Sequence, residues 1–158
     1  MWTQDLSFLN TSCELAAYFL EHLPEDGVPY FDFLAPDLNP RVTPRDTSAA
    51  LIACYGMLLI HEVKSKAKES SPYLNGALHL LRSVISMSMA PDAKFVTADD
   101  GELMVDMGDG EETILRHATI NNYEFAPRRW ASHGLVYADY YFLLVGNKLA
   151  EMGAIGAE

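Results

Sequence analysis

A helix built from residues 47 to 63 has almost no polar face, which limits the chain to folds that can surround one helix with others. Leu51, Ile52, Cys54, Tyr55, Met57, Leu58, Leu59 and Ile60 run round its circumference, so the segment reads as buried on all sides. It is too short to span a bilayer. Arg45-Asp46-Thr47-Ser48-Ala49-Ala50 opens this helix. At such a junction free N–H groups point outward and the helix dipole favours negative charge. Asp46 or Thr47 is placed to cap it.

The other helices follow from the same periodicity. Thr11-Ser12-Cys13-Glu14 matches a capping box and predicts a helix to Leu23, with Leu15, Phe19 and Leu23 on its apolar stripe, stopped by Pro24. Ser71-Pro72 predicts the start of a third helix, with a serine cap and a first-position proline. Leu74, Leu78, Leu81 and Ile85 form its stripe, and Asn75, His79 and Arg82 lie on other faces. A fourth helix is expected from about His133 to Met152, again apolar round most of its circumference.

The order is thus amphipathic, buried, amphipathic, buried. The second and third helices are joined by a short link, whereas both connections into the apolar helices are long. Residues 24–45 hold five prolines, at 24, 29, 36, 40 and 44, around Tyr30-Phe31-Asp32-Phe33. An ordered, irregular loop is expected there. Residues 91–130 contain Asp99-Asp100-Gly101 between Phe95-Val96-Thr97 and Leu103-Met104-Val105, a hairpin signal. A second turn is expected at Gly108-Asp109-Gly110. Antiparallel neighbours then gather both long loops at one end, over the amino ends of the apolar helices. That is the layout of an α/α toroid, with an inner ring, an outer ring and a working face. Four helices cannot close such a ring.

At 158 residues, with 49% hydrophobic and 21% charged side chains, the chain suits one globular domain with its own core. A net charge of −11 speaks against nucleic acid or an anionic membrane as partner, although a local cation can still hold an acidic ligand. Cys13 and Cys54 sit in helical patterns and read as buried free thiols. Met1-Trp2-Thr3-Gln4-Asp5 has neither the basic start nor the apolar run of a signal peptide. The default expectation is a soluble, cytoplasmic chain.

Asp32, Asp37, Asp46 and Asp139 are the carboxylates expected near the working face. A carboxylate pair can do acid–base chemistry when one member's pKa is raised. Asp46 reads as a cap rather than a catalyst. Asp139 lies in the apolar run Tyr137-Ala138-Asp139-Tyr140-Tyr141, where an unpaired charge is costly. It requires a partner, either a buried arginine or a polar cleft. Arg128-Arg129-Trp130 could grip an acidic sugar by charge and stacking, or simply offset the acidic loops nearby. His61-Glu62 lacks the second histidine of a zinc-protease helix, since residue 65 is Ser65. The run Asp106-Met107-Gly108-Asp109-Gly110-Glu111-Glu112 has glycines where a calcium loop needs oxygen ligands. No metal or organic cofactor is indicated.

Five stretches, in order and at consistent spacing, resemble glycoside hydrolase family 88, the unsaturated glucuronyl hydrolases, and particularly its fungal members. They are Tyr18-Phe19-Leu20-Glu21-His22-Leu23-Pro24 with Val28-Pro29-Tyr30-Phe31-Asp32-Phe33, then Pro44-Arg45-Asp46-Thr47-Ser48-Ala49-Ala50. His117-Ala118-Thr119-Ile120-Asn121-Asn122 follows, and Tyr137-Ala138-Asp139-Tyr140-Tyr141-Phe142-Leu143 completes the set. The resemblance implies an (α/α)6 barrel acting on oligosaccharides that polysaccharide lyases leave with a 4,5-unsaturated uronic acid. In that family an aspartate protonates the ring double bond and activates water, and no cofactor is required.

The resemblance covers only the carboxy-terminal part of the family's catalytic domain. It places the catalytic aspartates, and the arginine- and tryptophan-bearing motif for the substrate carboxylate, outside this chain, so no aspartate here inherits the catalytic role. Phe31 stands for a usual Trp, Ile120 and Asn121 fall in a usual Thr-Tyr-His segment, and Ala138 replaces a usual Gly. The expectation is an all-α fold: residues 1–158 as one incomplete (α/α)6 domain, a partial toroid of helical hairpins with a small β-hairpin in a long loop. Tyr30, Asp32, Asp46, Asn121, Trp130, Tyr137 and Asp139 are expected to line or support a cleft for an unsaturated uronic-acid oligosaccharide. Two readings stay open: part of a hydrolase, or a non-catalytic remnant or interaction module that can self-associate through an exposed barrel edge.

Overall fold

The computed structural model describes residues 5–34, 42–106, 108 and 112–155. The expected carboxylate Asp37 and the Asp109–Glu111 part of the acidic turn lie outside them. Four helices and one hairpin are present among the described residues: α1 (Leu6–Glu21), α2 (Thr47–Lys66), α3 (Tyr73–Ser88), β1 (Lys94–Thr97), β2 (Leu103–Asp106) and α4 (Val136–Glu151). None of these helices is long and apolar enough to cross a membrane.

The helix α2 is the hub, against which α1, α3 and α4 all pack. Its partners fix the directions of the others. Cys54 Sγ meets the Ala77 carbonyl, and Met57 lies beside Gly76, so α3 runs antiparallel to α2. Thr47 at the start of α2 and Asp139 at the start of α4 both bond the segment 114–117. Near the other ends of these helices, Lys148 of α4 reaches Glu62 of α2 at 2.7 Å. The helices α2 and α4 are therefore parallel neighbours. Tyr73 of α3 donates to the Cys13 carbonyl of α1, and Leu20 packs on Gly76, which aligns α1 with α3. Two parallel inner helices backed by two parallel outer ones make an arc of an α/α toroid, as the sequence order predicts.

The core lies between the layers. Leu51, Cys54, Met57 and Leu58 of α2, Leu80 and Val84 of α3, and Val145 and Leu149 of α4 are all buried. Each buried aliphatic side chain there contributes about 1.5–3 kcal/mol by leaving water. Burial pushes the Cys54 thiol up to about 12, so it is an inert core group. Cys13 is half-buried, and neither thiol is in a disulfide. Hydrogen bonds from Lys148 and then Lys66 hold the Glu62 carboxyl below its usual range, which keeps the α2–α4 tie ionised at neutral pH.

Several boundaries and faces differ from expectation. Helix α1 starts at Leu6, where the Asp5 carboxylate accepts from Ser7 N at 2.8 Å. Thr11 and Glu14 therefore sit inside the helix rather than forming its box. The buried side of α1 runs through Leu9, Cys13, Ala16, Leu20 and Leu23, leaving Leu15 65% exposed. On α3 the packed face is centred on Ala77, Leu80 and Val84, with Ile85 turned outward. No side-chain bond caps α3 at Pro72; Ser71 Oγ accepts only a long 3.3 Å contact from Tyr73 N.

Helix α4 begins at Val136, not near His133. Neither inner helix is enclosed. Ile52 of α2 and Val136, Tyr140 and Leu143 of α4 are exposed, because an arc covers its inner helices from one side only. The hairpin forms as expected, with Phe95 opposite Val105 and the turn closed by Ala98 and Gly101.

Helix α2 ends in a paired-bond motif: Lys68 N donates to Ser65 O and Glu69 N to Lys64 O, both at 2.9 Å. Lys68 carries the left-handed φ of 60° that this motif requires. A side chain there costs about 1–2 kcal/mol, partly offset by the greater unfolded-state entropy of glycine, about 0.5–1 kcal/mol. Lys68→Gly should therefore stabilise the chain by about 0.5–1 kcal/mol. The check is the urea midpoint; an unchanged or lower midpoint would reject the motif.

Candidate functional site

Both long loops arrive at the amino ends of α2 and α4. The first loop doubles back on itself: Phe31 N bonds Pro44 O and Asp46 N bonds Pro29 O, both at 3.0 Å. Its entry is docked on α3 at Gly27, whose φ is +76°. A Cβ at Gly27 would collide with Ser83 and His79, so only glycine fits. Arg45 clamps the loop from within. Its guanidinium donates to both Asp26 carboxylate oxygens, and the Nη1 that reaches Oδ1 also donates to the Val28 carbonyl at 2.7 Å. It also lies 3.9 Å from the centre of the Tyr30 ring. This is bidentate charge pairing reinforced by cation–π attraction.

The second loop folds into a narrow antiparallel ribbon, with bridges Ala118–His133 and Asn121–Trp130. His117 and Ser132 both adopt positive φ, at 61° and 56°, and their side chains meet at 3.0 Å. The ribbon is tied to the first loop by Thr119. Its hydroxyl donates to the Arg45 carbonyl at 2.8 Å and accepts from Ser132 N at 3.1 Å.

Asp46 is the N-cap of α2. Its Oδ1 accepts from Ser48 N at 3.0 Å, Ser48 Oγ at 2.5 Å and Ala49 N at 3.3 Å, with Thr119 N at 3.4 Å. Thr47 N reaches His117 O at 3.1 Å, and the Thr47 hydroxyl reaches Arg116 O at 2.9 Å. Asp139 has a partner of a kind not foreseen. It accepts from the backbone N–H groups of Ile114 and Leu115, each at 3.0 Å, and among the described residues no arginine pairs with it. Its carboxylate anchors the second loop to the first turn of α4.

Between the loops lies an open cleft of about 540 Å3. One wall is Phe31, Asp32, Leu34, Val42, Thr43 and Pro44; the other is Asn122, Tyr123, Glu124 and Arg129. Of the seven expected residues only Asp32 lines it. Asp32 Oδ1 also accepts from Leu34 N at 2.8 Å, shaping the wall's turn. Tyr30, Asp46, Asn121 and Asp139 stand behind the walls as supports. The Asn121 side chain accepts from Tyr123 N at 2.8 Å and so sets the turn that presents Tyr123. Trp130 is 42% exposed beneath the Arg128 guanidinium, 3.8 Å from its ring centre, so Arg128 and Trp130 pair with each other. Tyr137 is part-exposed on the first turn of α4, away from the cleft walls. Tyr123 and Glu124 were missed as lining residues; their signal was an aromatic–acid pair directly after Asn121-Asn122. Among the described residues no group of three or more His, Cys, Asp or Glu is arranged to hold a metal.

No family model matches the chain. In sequence it is similar to an unsaturated glucuronyl hydrolase of Formosa agariphila, 28% identical over 144 residues, which covers 90% of this chain and 30% of that relative. In fold it is similar to the crystal structure of an unsaturated glucuronyl hydrolase specific for heparin. The TM-score there is 0.70 at 24% identity, over 97% of this chain and 36% of the other. A variant of the Streptococcus agalactiae enzyme, complexed with dGlcA-GalNAc6S, aligns with a TM-score of 0.60 at 26% identity over 85% of this chain and 31% of the other. These likenesses establish homology to the unsaturated glucuronyl hydrolases and the arc of a helical toroid. The chain spans about 30% of the length of the curated relatives it matches, and the relatives named are bacterial.

If Asp139 is an anchor, its loss appears in stability. Removing an acceptor from two amide donors costs about 1–3 kcal/mol. Asp139→Ala should lower the denaturation free energy by that amount, and Asp139→Asn, which keeps one acceptor oxygen, by roughly half as much. Chemical denaturation followed by circular dichroism is the check. Equal stability of all three proteins would remove the anchoring role.

Proposed function

We propose that this chain is the carboxy-terminal part of a fungal-type unsaturated glucuronyl hydrolase, with residues 1–158 forming one incomplete (α/α)6 domain. The complete enzyme would hydrate the 4,5-unsaturated uronic acid on lyase-generated oligosaccharides. The observation that carries this reading is the convergence of both long loops, from separate helical hairpins, on one cleft at the amino ends of the inner helices. Aromatic and aliphatic side chains of the walls suit a sugar ring, and Asp32, Asn122 and Arg129 supply polar contacts at its edge. The dGlcA-GalNAc6S complex of the S. agalactiae relative supports a uronyl disaccharide as the class of ligand.

The division of labour follows from the carboxylates. Asp46 accepts from amides at the start of α2, and Asp139, in the first turn of α4, accepts from two loop amides, so both carboxylates are engaged in assembly. With the family's catalytic aspartates placed outside this chain by the resemblance, the proton donor for the double bond would come from other parts of the enzyme. This chain should bind an unsaturated disaccharide, seen as a saturable change in Trp130 and tyrosine fluorescence, without consuming it. The ultraviolet absorbance of the double bond reports consumption. Turnover at an enzyme-like rate would overturn the division of labour, and absence of any binding would overturn the sugar-cleft reading.

A second reading is favoured by one observation, the exposed apolar face of α4 at Val136, Tyr140 and Leu143. A non-catalytic module would use that edge for interaction, including self-association. Light scattering at micromolar concentration should then show species above the monomer mass, and Tyr140→Glu with Leu143→Glu should return them to monomer. A monodisperse monomer of the unaltered chain would remove this reading.

A further inference from the structure

The long connection from α3 to α4 carries two exposed features of opposite charge. The hairpin β1–β2 is the first, and every residue of both strands is exposed. Its register places Phe95, Leu103 and Val105 on one face, and Val96 and Met104 on the other. Phe95 is 75% exposed and Leu103 70%. The turn adds the exposed acids Asp99, Asp100 and Glu102, none of them in an ion pair among the described residues. Residues 94–106 hold four acids and Lys94, a net charge of −3. A two-stranded hairpin on its own is at best marginally stable in water, and a further surface against it supplies the missing burial.

The tip of the ribbon between Asn121 and Trp130 is the second. Tyr123 and Phe125 are exposed there, with ring centres 5.3 Å apart. Arg128 and Arg129 are exposed as well. Arg128 stacks on Trp130, and Arg129 reaches the Glu124 carbonyl. Neither guanidinium is in an ion pair among the described residues, whereas Arg45, Lys64, Lys66 and Lys148 are all tied to carboxylates. Residues 121–130 hold these two arginines and one acid, Glu124, a net charge of +1 within a chain of −11.

We infer that the ribbon tip of one copy receives the β1–β2 hairpin of a second copy. Arg128 and Arg129 meet the acids of the turn, and the exposed aromatic rings cover apolar side chains of the hairpin. Charge complementarity selects this occupant. The tip calls for a partner that is both acidic and apolar, and the hairpin of another copy offers both on one short element. Opposite local charges steer the encounter and fix its orientation, while the apolar area supplies the attraction. The contact is separate from the exposed face of α4 and does not depend on the hydrolase reading.

Light scattering on the unaltered chain should show species above the monomer mass at low salt. Between about 0.02 and about 0.5 M salt the Debye length falls from about 20 Å to about 4 Å, and the dissociation constant should rise roughly tenfold or more. Salt acts in the opposite sense on an apolar contact between chains of like net charge, because it screens their general repulsion. Two charge reversals then identify the surfaces. Arg128→Glu with Arg129→Glu should leave only monomer. So should Asp99→Lys with Glu102→Lys, which spares the Asp100 carboxylate that holds Glu102 N at 3.0 Å. The second variant raises the net charge from −11 by four, to −7, so its loss of association cannot come from added repulsion. An equimolar mixture of the two should associate again, since each ribbon then meets a hairpin of opposite charge. Circular dichroism checks that both variants are folded. A monomeric unaltered chain, association that strengthens with salt, folded variants that still self-associate, or a mixture that stays monomeric overturns the inference. The salt series needs no variant and decides the matter if either one fails to fold.

Discussion

The hydroxyl of Thr119 joins the two halves of the working face. It donates to the Arg45 carbonyl and accepts from Ser132 N, while the neighbouring amide approaches the Asp46 carboxylate. One buried residue, through its hydroxyl and its amide, thus links the end of the first loop, both strands of the second loop's ribbon and the cap of α2. Without such a pin, two long irregular loops would carry many unpaired backbone groups near the protein interior. With it, the ribbon completes the amino end of α2 through His117 and Arg116 carbonyls. The cleft walls are the outer faces of these same tied loops, so their spacing is inherited from the pin and from the Arg45 clamp.

The carboxylates show how the amino ends of helices constrain function. Free N–H groups there attract either a ligand or a side chain. Asp46 occupies the start of α2 itself, and Asp139, from the first turn of α4, takes up two loop amides. Both negative charges are consequently used in assembly. The cleft opens beyond them, at the loop tips, where aromatic and aliphatic side chains stand beside Asp32, Glu124 and Arg129 among the described residues. That location fits recognition of a sugar body more than bond breaking, and agrees with a catalytic group contributed from elsewhere in a toroid.

Much of the fold was legible because helical periodicity and turn chemistry are local. The four helices, the Asp46 cap, the hairpin at Asp99–Gly101 and the meeting of the two loops all follow from short-range patterns. The errors have physical causes. Thr11–Glu14 satisfied a capping pattern, yet Asp5 provided an earlier cap and the helix propagated through, since extending a helix is easier than starting one. Leu15 and Ile85 lie one step from the true packed stripes, which only the positions of neighbouring helices decide. The partners of Asp139 are 24 and 25 residues away, and those of Thr119 up to 74. No spacing rule reaches that far. Tyr30, Asp46 and Asn121 were therefore singled out from short-range patterns although they stand behind the walls, Arg129 only as a grip for an acidic sugar, and the lining residues Tyr123 and Glu124 not at all.

The apolar circumference of α2 and α4 raises a last structural point. A helix without a polar face needs neighbours on every side, and among the described residues each inner helix is covered by its partner and by the outer layer. Val136 on α4 is 78% exposed and Ile52 on α2 is 44% exposed, although both lie in segments with hardly any polar residue. Surface selection alone would place charges at such positions, as it has at Glu62, Lys66 and Lys148 near the carboxy ends. The carboxy ends of these helices are thus polar, while apolar side chains nearer their amino ends stay exposed among the described residues. The working face, by contrast, is already closed by its own loops. Coverage and recognition are thus separable in this arc: the inner helices leave apolar lateral surfaces exposed, while the loop-bound cleft is held together within the chain.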